Sequence, residues 1–168
     1  GVGGKPAIMV NNKLFRVENP NQVSITIPWG VECVWAILTP RELTNSSVVK
    51  KIVVASFYLK PGSKKKSALF DHIAETYHSL CSKYVSGLYW VLAGDKNQFR
   101  MDGVLNLSPD FKQLVDKPTR MSPPRILDVI ITNMSRFYKI PSVEQPLEPD
   151  TDQIGSPSDH LMVVMSPM

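Results

Sequence analysis

Two runs in the first third of the chain, Val34-Trp35-Ala36-Ile37-Leu38 and Ile52-Val53-Val54-Ala55-Ser56-Phe57-Tyr58, are too dense in apolar residues for strands with one solvated face. They read as strands covered on both sides. Tyr89-Trp90-Val91-Leu92-Ala93 and Ile126 to Thr132 repeat the pattern further on. Between them Leu69, Ile73, Tyr77, Leu80 and Tyr84 recur at steps of three and four, with Phe70 and Cys81 widening the stripe, which predicts a helix. Strands buried on both faces need layers above and below, so a layered α/β or α+β sandwich is the expected architecture. A chain of 168 residues buries about two thirds of its unfolded surface, enough for one domain over residues 1–168.

Weaker signals fill in the remainder. Pro6 to Val10 is an apolar run closed by an Asn11-Asn12 turn, and Val23 to Ile27 alternates with period two, so each predicts a strand. Ser108-Pro109-Asp110 has the serine and early proline of a helix start, with Phe111, Leu114 and Val115 inward. The proline-rich acidic stretch 140–157 reads as a surface loop, and Leu161 to Met165 as a closing strand. His72 and His78 lie off the apolar line of the helix and read as solvated. Cys33 and Cys81 lack metal-ligand spacing and read as reduced, buried thiols, which fits an intracellular compartment, nucleus or cytoplasm.

Charge is unevenly placed. Residues 1–139 hold all nineteen Lys and Arg against ten acids, while the remainder holds five acids and no cation. A basic body suits a polyanionic partner, because each cation near a phosphate releases condensed counterions. An ordinary solvated surface accounts for it equally well. No run is long and apolar enough to span a bilayer, and residues 1–6 lack the regions of a signal peptide.

Polar residues stand where the apolar runs end. Asp95 and Asn97 follow the run at 89–93; in an extended segment both would point to one face, although Gly94-Asp95 also suits a turn. Asp128 interrupts Ile126-Leu127 and Val129-Ile130-Ile131. An ionised carboxylate inside a buried strand needs a partner, for which His160, Arg120 and Arg125 all qualify. A carboxylate on one imidazole nitrogen would fix the tautomer and raise the basicity of the other. Asp159 and His160 open the last strand and would face opposite ways.

Taken in order, Tyr58-Leu59-Lys60-Pro61-Gly62, Gly94-Asp95-Lys96-Asn97, Leu127 to Asn133 and Ser158-Asp159-His160 resemble the motifs of the endonuclease/exonuclease/phosphatase superfamily. Within it the chain is most similar to the endonuclease domain of non-LTR retrotransposons. Pro118-Thr119-Arg120 and Gly3-Gly4-Lys5-Pro6-Ala7-Ile8 also fit that group. The resemblance implies a DNase I-like four-layer sandwich of two mostly antiparallel sheets flanked by helices. It further implies a magnesium- or manganese-dependent phosphodiesterase that nicks DNA, with a fused reverse transcriptase as a partner domain.

By that resemblance His160, oriented by Asp128, contacts the scissile phosphate or moves a proton. Asp95 positions or deprotonates the attacking water, Asn97 holds that water or a phosphoryl oxygen, and Asp159 lies near the metal. Tyr58, Arg120 and Arg125 meet the phosphate or DNA. The family's first strands, with an Asn and a metal-binding Glu, have no counterpart in the chain. The expectation is a domain incomplete at its N-terminus and weakly active or inactive alone. Lys96 also departs from the pattern, standing where the family usually has an apolar residue. A catalytically dead remnant that binds nucleic acid or protein, and a phosphatase of the same superfamily, are the competing readings.

Overall fold

The computed structural model describes residues 5–18, 25–41, 51–145 and 160–168. Its centre is a six-stranded mixed sheet of β1 (Phe15–Glu18), β2 (Glu32–Pro40), β3 (Lys51–Tyr58), β4 (Leu88–Asp95), β5 (Lys112–Gln113) and β8 (Asp128–Thr132). Across the sheet the strands run β1-β2-β3-β4-β8-β5. Every pairing is antiparallel except β3 with β4. A parallel pair cannot be joined by a tight turn, and here helix α1 (Lys66–Lys83) makes the crossover. A short helix α2 (Asp102–Leu105), a β6–β7 hairpin (Arg120–Met121 with Pro124–Arg125), a 3-10 turn at Ser135–Phe137 and a ladder of β9 (Ser142–Glu144) with β10 (Met162–Val164) complete the described elements.

The two faces of the sheet separate by the period of two that strands impose. Trp35 and Ile37 of β2, Val53, Ala55 and Phe57 of β3, Trp90 and Leu92 of β4, and Val129 and Ile131 of β8 are buried in one cluster with Leu69, Ile73 and Leu80 of α1. Ring contacts fix the direction: Trp35 meets His72 edge-on at 5.8 Å, and Tyr77 of α1 meets Trp90 at 5.1 Å. The alternate residues therefore stand on the opposite face, where Ala36, Leu38, Ile130 and Thr132 are buried as well, while Tyr58, Asp95 and Asp128 are only half buried. None of the described helices is long and apolar enough to cross a membrane.

Several sequence expectations need correction. Pro6 to Val10 joins no strand, and neither do Ile25 to Ile27; Val23 and Ser24 lie outside the described residues. Ser108 to Asp110 form a turn rather than a helix start. The Ser108 hydroxyl does accept from the Asp110 N–H at 3.3 Å, but the chain then turns into β5, because the edge of β8 offers backbone partners at Ile131 and Thr132. His72 is not solvated: it is 3% exposed and accepts a 2.9 Å hydrogen bond from the Trp35 indole. Cys33 is buried as expected, whereas Cys81 is exposed. Within the expected loop 140–157, Ser142 to Glu144 pair with the closing strand, and 146–157 lie outside the described residues.

Candidate active site

Register assembles the site. Tyr58 of β3 pairs with Asp95 of β4, and Asp95 with Asp128 of β8. Since all three share one face, they form a row across adjacent strands at one sheet edge. Two glycines shape that edge. A Cβ on Gly94 would sit 2.1 Å from the Phe57 carbonyl oxygen, so only glycine lets β4 approach β3 there. Gly62, at φ +72°, closes the turn Lys60-Pro61-Gly62-Ser63, whose Ser63 N–H donates to the Lys60 carbonyl at 3.0 Å.

His160 reaches the row from the far end of the sequence. Its Nδ1 lies 2.9 Å from Asp128 Oδ2, and its Nε2 lies 4.0 Å from Asp95 Oδ2. The first distance is a hydrogen bond. The second is too long for one and leaves a small gap between a carboxylate and an imidazole nitrogen. Of the three partners open to Asp128 in the sequence, the structure selects His160.

Thr119 fixes this geometry, and sequence reasoning noted it only as part of Pro118-Thr119-Arg120. Its hydroxyl is fully buried and accepts from the N–H groups of both Leu127 and Asp128, at 3.1 and 3.0 Å. Its carbonyl accepts from the Leu161 N–H at 2.7 Å, while Arg120 bridges to His160. One residue thus holds the start of β8 and the segment carrying the imidazole. The legible signal was a threonine flanked by rigid proline and arginine ahead of an interrupted apolar run.

Asn97 arrives by a route other than the one expected. β4 ends at Asp95, and Asn97 is left-handed at φ +43°, so the extended same-face argument does not describe it. Its N–H donates to Asp95 Oδ1 at 2.9 Å, and its side-chain amide donates to the Leu59 carbonyl at 2.8 Å. Asn97 therefore clamps Asp95 and ties the loop after β3 to the loop after β4. Burial holds the Asp95 carboxyl above the usual carboxylate range; Asp128 pushes it the same way, against the Asn97 hydrogen bonds and His160. Asp159 lies outside the described residues.

Beside the row opens a cleft of about 330 Å³ lined by Pro61, Lys96, Asn97, Arg120, Arg125 and Ile126 among others. Arg120 and Arg125 are cross-strand partners of the β6–β7 hairpin. Like charges set opposite each other are unfavourable, and an anion between them relieves this. Lys96, the departure from the family pattern, lies just past β4 and adds a third cation to the same wall. The acidic side has complementary character. Asp95, Asp128 and His160 each bring one ligand atom within 4.8 Å of the others. Two hard carboxylates in cross-strand register with one imidazole make a donor set that suits a divalent cation.

No family model matches the chain, and no curated protein matches its sequence. Solved structures do match in shape. Truncated TDP2 of Caenorhabditis elegans superposes with a TM-score of 0.58 at 14% identity, covering 90% of this chain and 66% of that one. The human Nocturnin catalytic domain with bound sulfate superposes with a TM-score of 0.56 at 14% identity, covering 94% of this chain and 61% of that one. The chain has the DNase I-like α/β fold of these structures and spans less than two thirds of their length.

Proposed function

We propose that this chain is the endonuclease domain of a retroelement-type protein, a divalent-metal-dependent phosphodiesterase that nicks DNA. The observation that carries the reading is the His160–Asp128 pair facing Asp95 across a 4.0 Å gap, beside a cleft lined by three cations. The Nocturnin catalytic domain, which has this fold, carries a bound sulfate anion.

In this reading Arg120, Arg125 and Lys96 draw the phosphodiester into the cleft. Asp95, less acidic than an ordinary carboxylate, accepts the proton of the attacking water, which the Asn97 clamp helps to place. Asp128 holds the imidazole by Nδ1, so that Nε2 faces the phosphate and exchanges a proton with an oxygen of it. The Tyr58 hydroxyl bonds a phosphate oxygen from the next strand. Magnesium or manganese, for which the family resemblance offers Asp159 as a ligand, would supply charge neutralisation at the phosphoryl oxygens.

The test is nicking of supercoiled plasmid with magnesium or manganese, by this chain and by a form extended upstream. Activity lost in both Asp95→Ala and His160→Ala is the expected result. An extended protein inert with every divalent ion, whose salt-dependent DNA binding survives both substitutions, would replace the enzyme by a binding remnant.

A further inference from the structure

Trp29 is 89% exposed, at the second position of a turn in which the Val31 N–H donates to the Pro28 carbonyl at 3.1 Å and Gly30 takes φ +78°. The other two tryptophans are core residues, Trp35 at 6% and Trp90 at 2% exposure. A turn that holds an indole out in solvent exposes a large aromatic surface with no packing return. What lies against it is a cation: the Lys65 ammonium stands 5.2 Å from the ring centroid. Lys65 is one of four lysines at positions 60, 64, 65 and 66, and no carboxylate occurs between Tyr58 and Asp71. The surface combines one presented aromatic face with concentrated positive charge.

Its position ties it to the site. Glu32, the first residue of β2, pairs with Tyr58, which pairs with Asp95. The turn before β2 and the lysine loop after β3 therefore rise from the same sheet edge as Asp95, two strand spacings or about 10 Å across from it. The loop is also fixed to the site. The Leu59 N–H donates to the Asp95 carbonyl at 3.0 Å, and the Leu59 carbonyl accepts from Asn97. Pro61 lines the cleft beside the row, while Lys60 and Lys65 outnumber the one carboxylate, Glu32, in the hollow they share with Gly30.

Resting on the nucleic-acid reading above, we infer that Trp29 is a stacking platform for an unpaired base of the bound strand, with Lys60, Lys64 and Lys65 along the adjoining phosphates. Stacking on an aromatic face tolerates any base, and lysines tracking the backbone supply the charge. The site then takes a strand opened beside the cut in preference to a closed duplex.

The experiment is a titration of the full chain, metal removed by EDTA, with a short oligothymidylate. Because Trp35 and Trp90 are buried, acrylamide-quenchable emission reports Trp29. The expected result is that the oligomer protects this emission, that Trp29→Ala weakens binding by about 5- to 150-fold, and that Trp29→Phe retains most of the affinity. Lys64→Ala with Lys65→Ala lowers the salt slope by about 1 to 2. The inference is overturned if Trp29→Ala leaves affinity unchanged, if base-free polyphosphate protects the indole equally, or if only anionic lipid vesicles protect it. A chain that binds through Trp29 yet never nicks sinks the nuclease reading alone. One that nicks while ignoring Trp29 sinks this inference alone.

Discussion

The two faces of the central sheet are built from the same strands and behave as different materials. On the helix side, Val53, Ala55, Phe57, Trp90, Leu92 and Ile131 alternate into a closed apolar layer under α1. On the other, Tyr58, Asp95 and Asp128 line up half buried, and two like carboxylates stand in direct register. Apolar burial explains the first face completely, since each large side chain there contributes about 1.5–3 kcal/mol. The second face also buries Ala36, Leu38 and Ile130, but its row of half-buried carboxylates, one opposite the other, works against folding. The polar row occupies one edge of the second face, and the strand period keeps it apart from the core under α1.

The comparison breaks most visibly at the imidazole. His160→Ala is expected to lower the nicking rate by about 10²- to 10⁴-fold while denaturant unfolding barely moves. The opposite signature belongs to the helix side: Ile73→Ala, at a position 1% exposed, is expected to cost about 2–5 kcal/mol in urea titration, with normal activity per folded molecule. Thr119 lies between the two. Thr119→Val strips the acceptor from two N–H groups at about 1–3 kcal/mol each. It should therefore lower both unfolding free energy and kcat, and Thr119→Ser should restore both.

Asp95 gives a smaller effect of the other sign. Its carboxyl titrates higher folded than unfolded, so the folded state disfavours the ionised form. The resulting penalty is absent below the ordinary carboxylate value, grows as pH rises towards the folded one, and is full at neutrality. Asp95→Asn, which keeps an acceptor for the Asn97 N–H, should abolish nicking yet melt higher than the parent near pH 7. That advantage should vanish in acid, as melting curves across pH would show. His72 provides a control on the helix side, because burial lowers its titration below the ordinary histidine value. Stability should fall as pH drops below about 6.5, a loss that belongs to the core and leaves the site geometry unchanged.

What the sequence made legible follows the same division. The dense runs at 34–38, 52–58 and 89–93 gave their strands, but only the first is buried on both faces; in β3 and β4 full burial falls on alternate residues, so apolar density marked the strands without fixing their second face. Asp128 stood out because a charge inside such a run has no apolar explanation. The segments that misled were those whose structure depends on distant partners. Ser108-Pro109-Asp110 carries helix-start chemistry, but the open edge of β8 decides the backbone beyond it. His72 looked solvated by helical phase alone, and only the Trp35 indole donor, from a strand 37 residues away, makes its burial tolerable. Thr119 was hard to weigh because its function lies in backbone bonds to residues not yet placed.

The central claim is that Asp128 and His160 act as one unit facing Asp95. A double-substitution cycle on plasmid nicking tests it most directly, using Asp128→Asn, His160→Ala and the pair together in the most active form of the protein. Residues that act through each other lose function only once. The account predicts that Asp128→Asn is costly alone and nearly without effect once His160 is gone. Losses that simply multiply, with the double variant as far below His160→Ala as Asp128→Asn is below the parent, would contradict it.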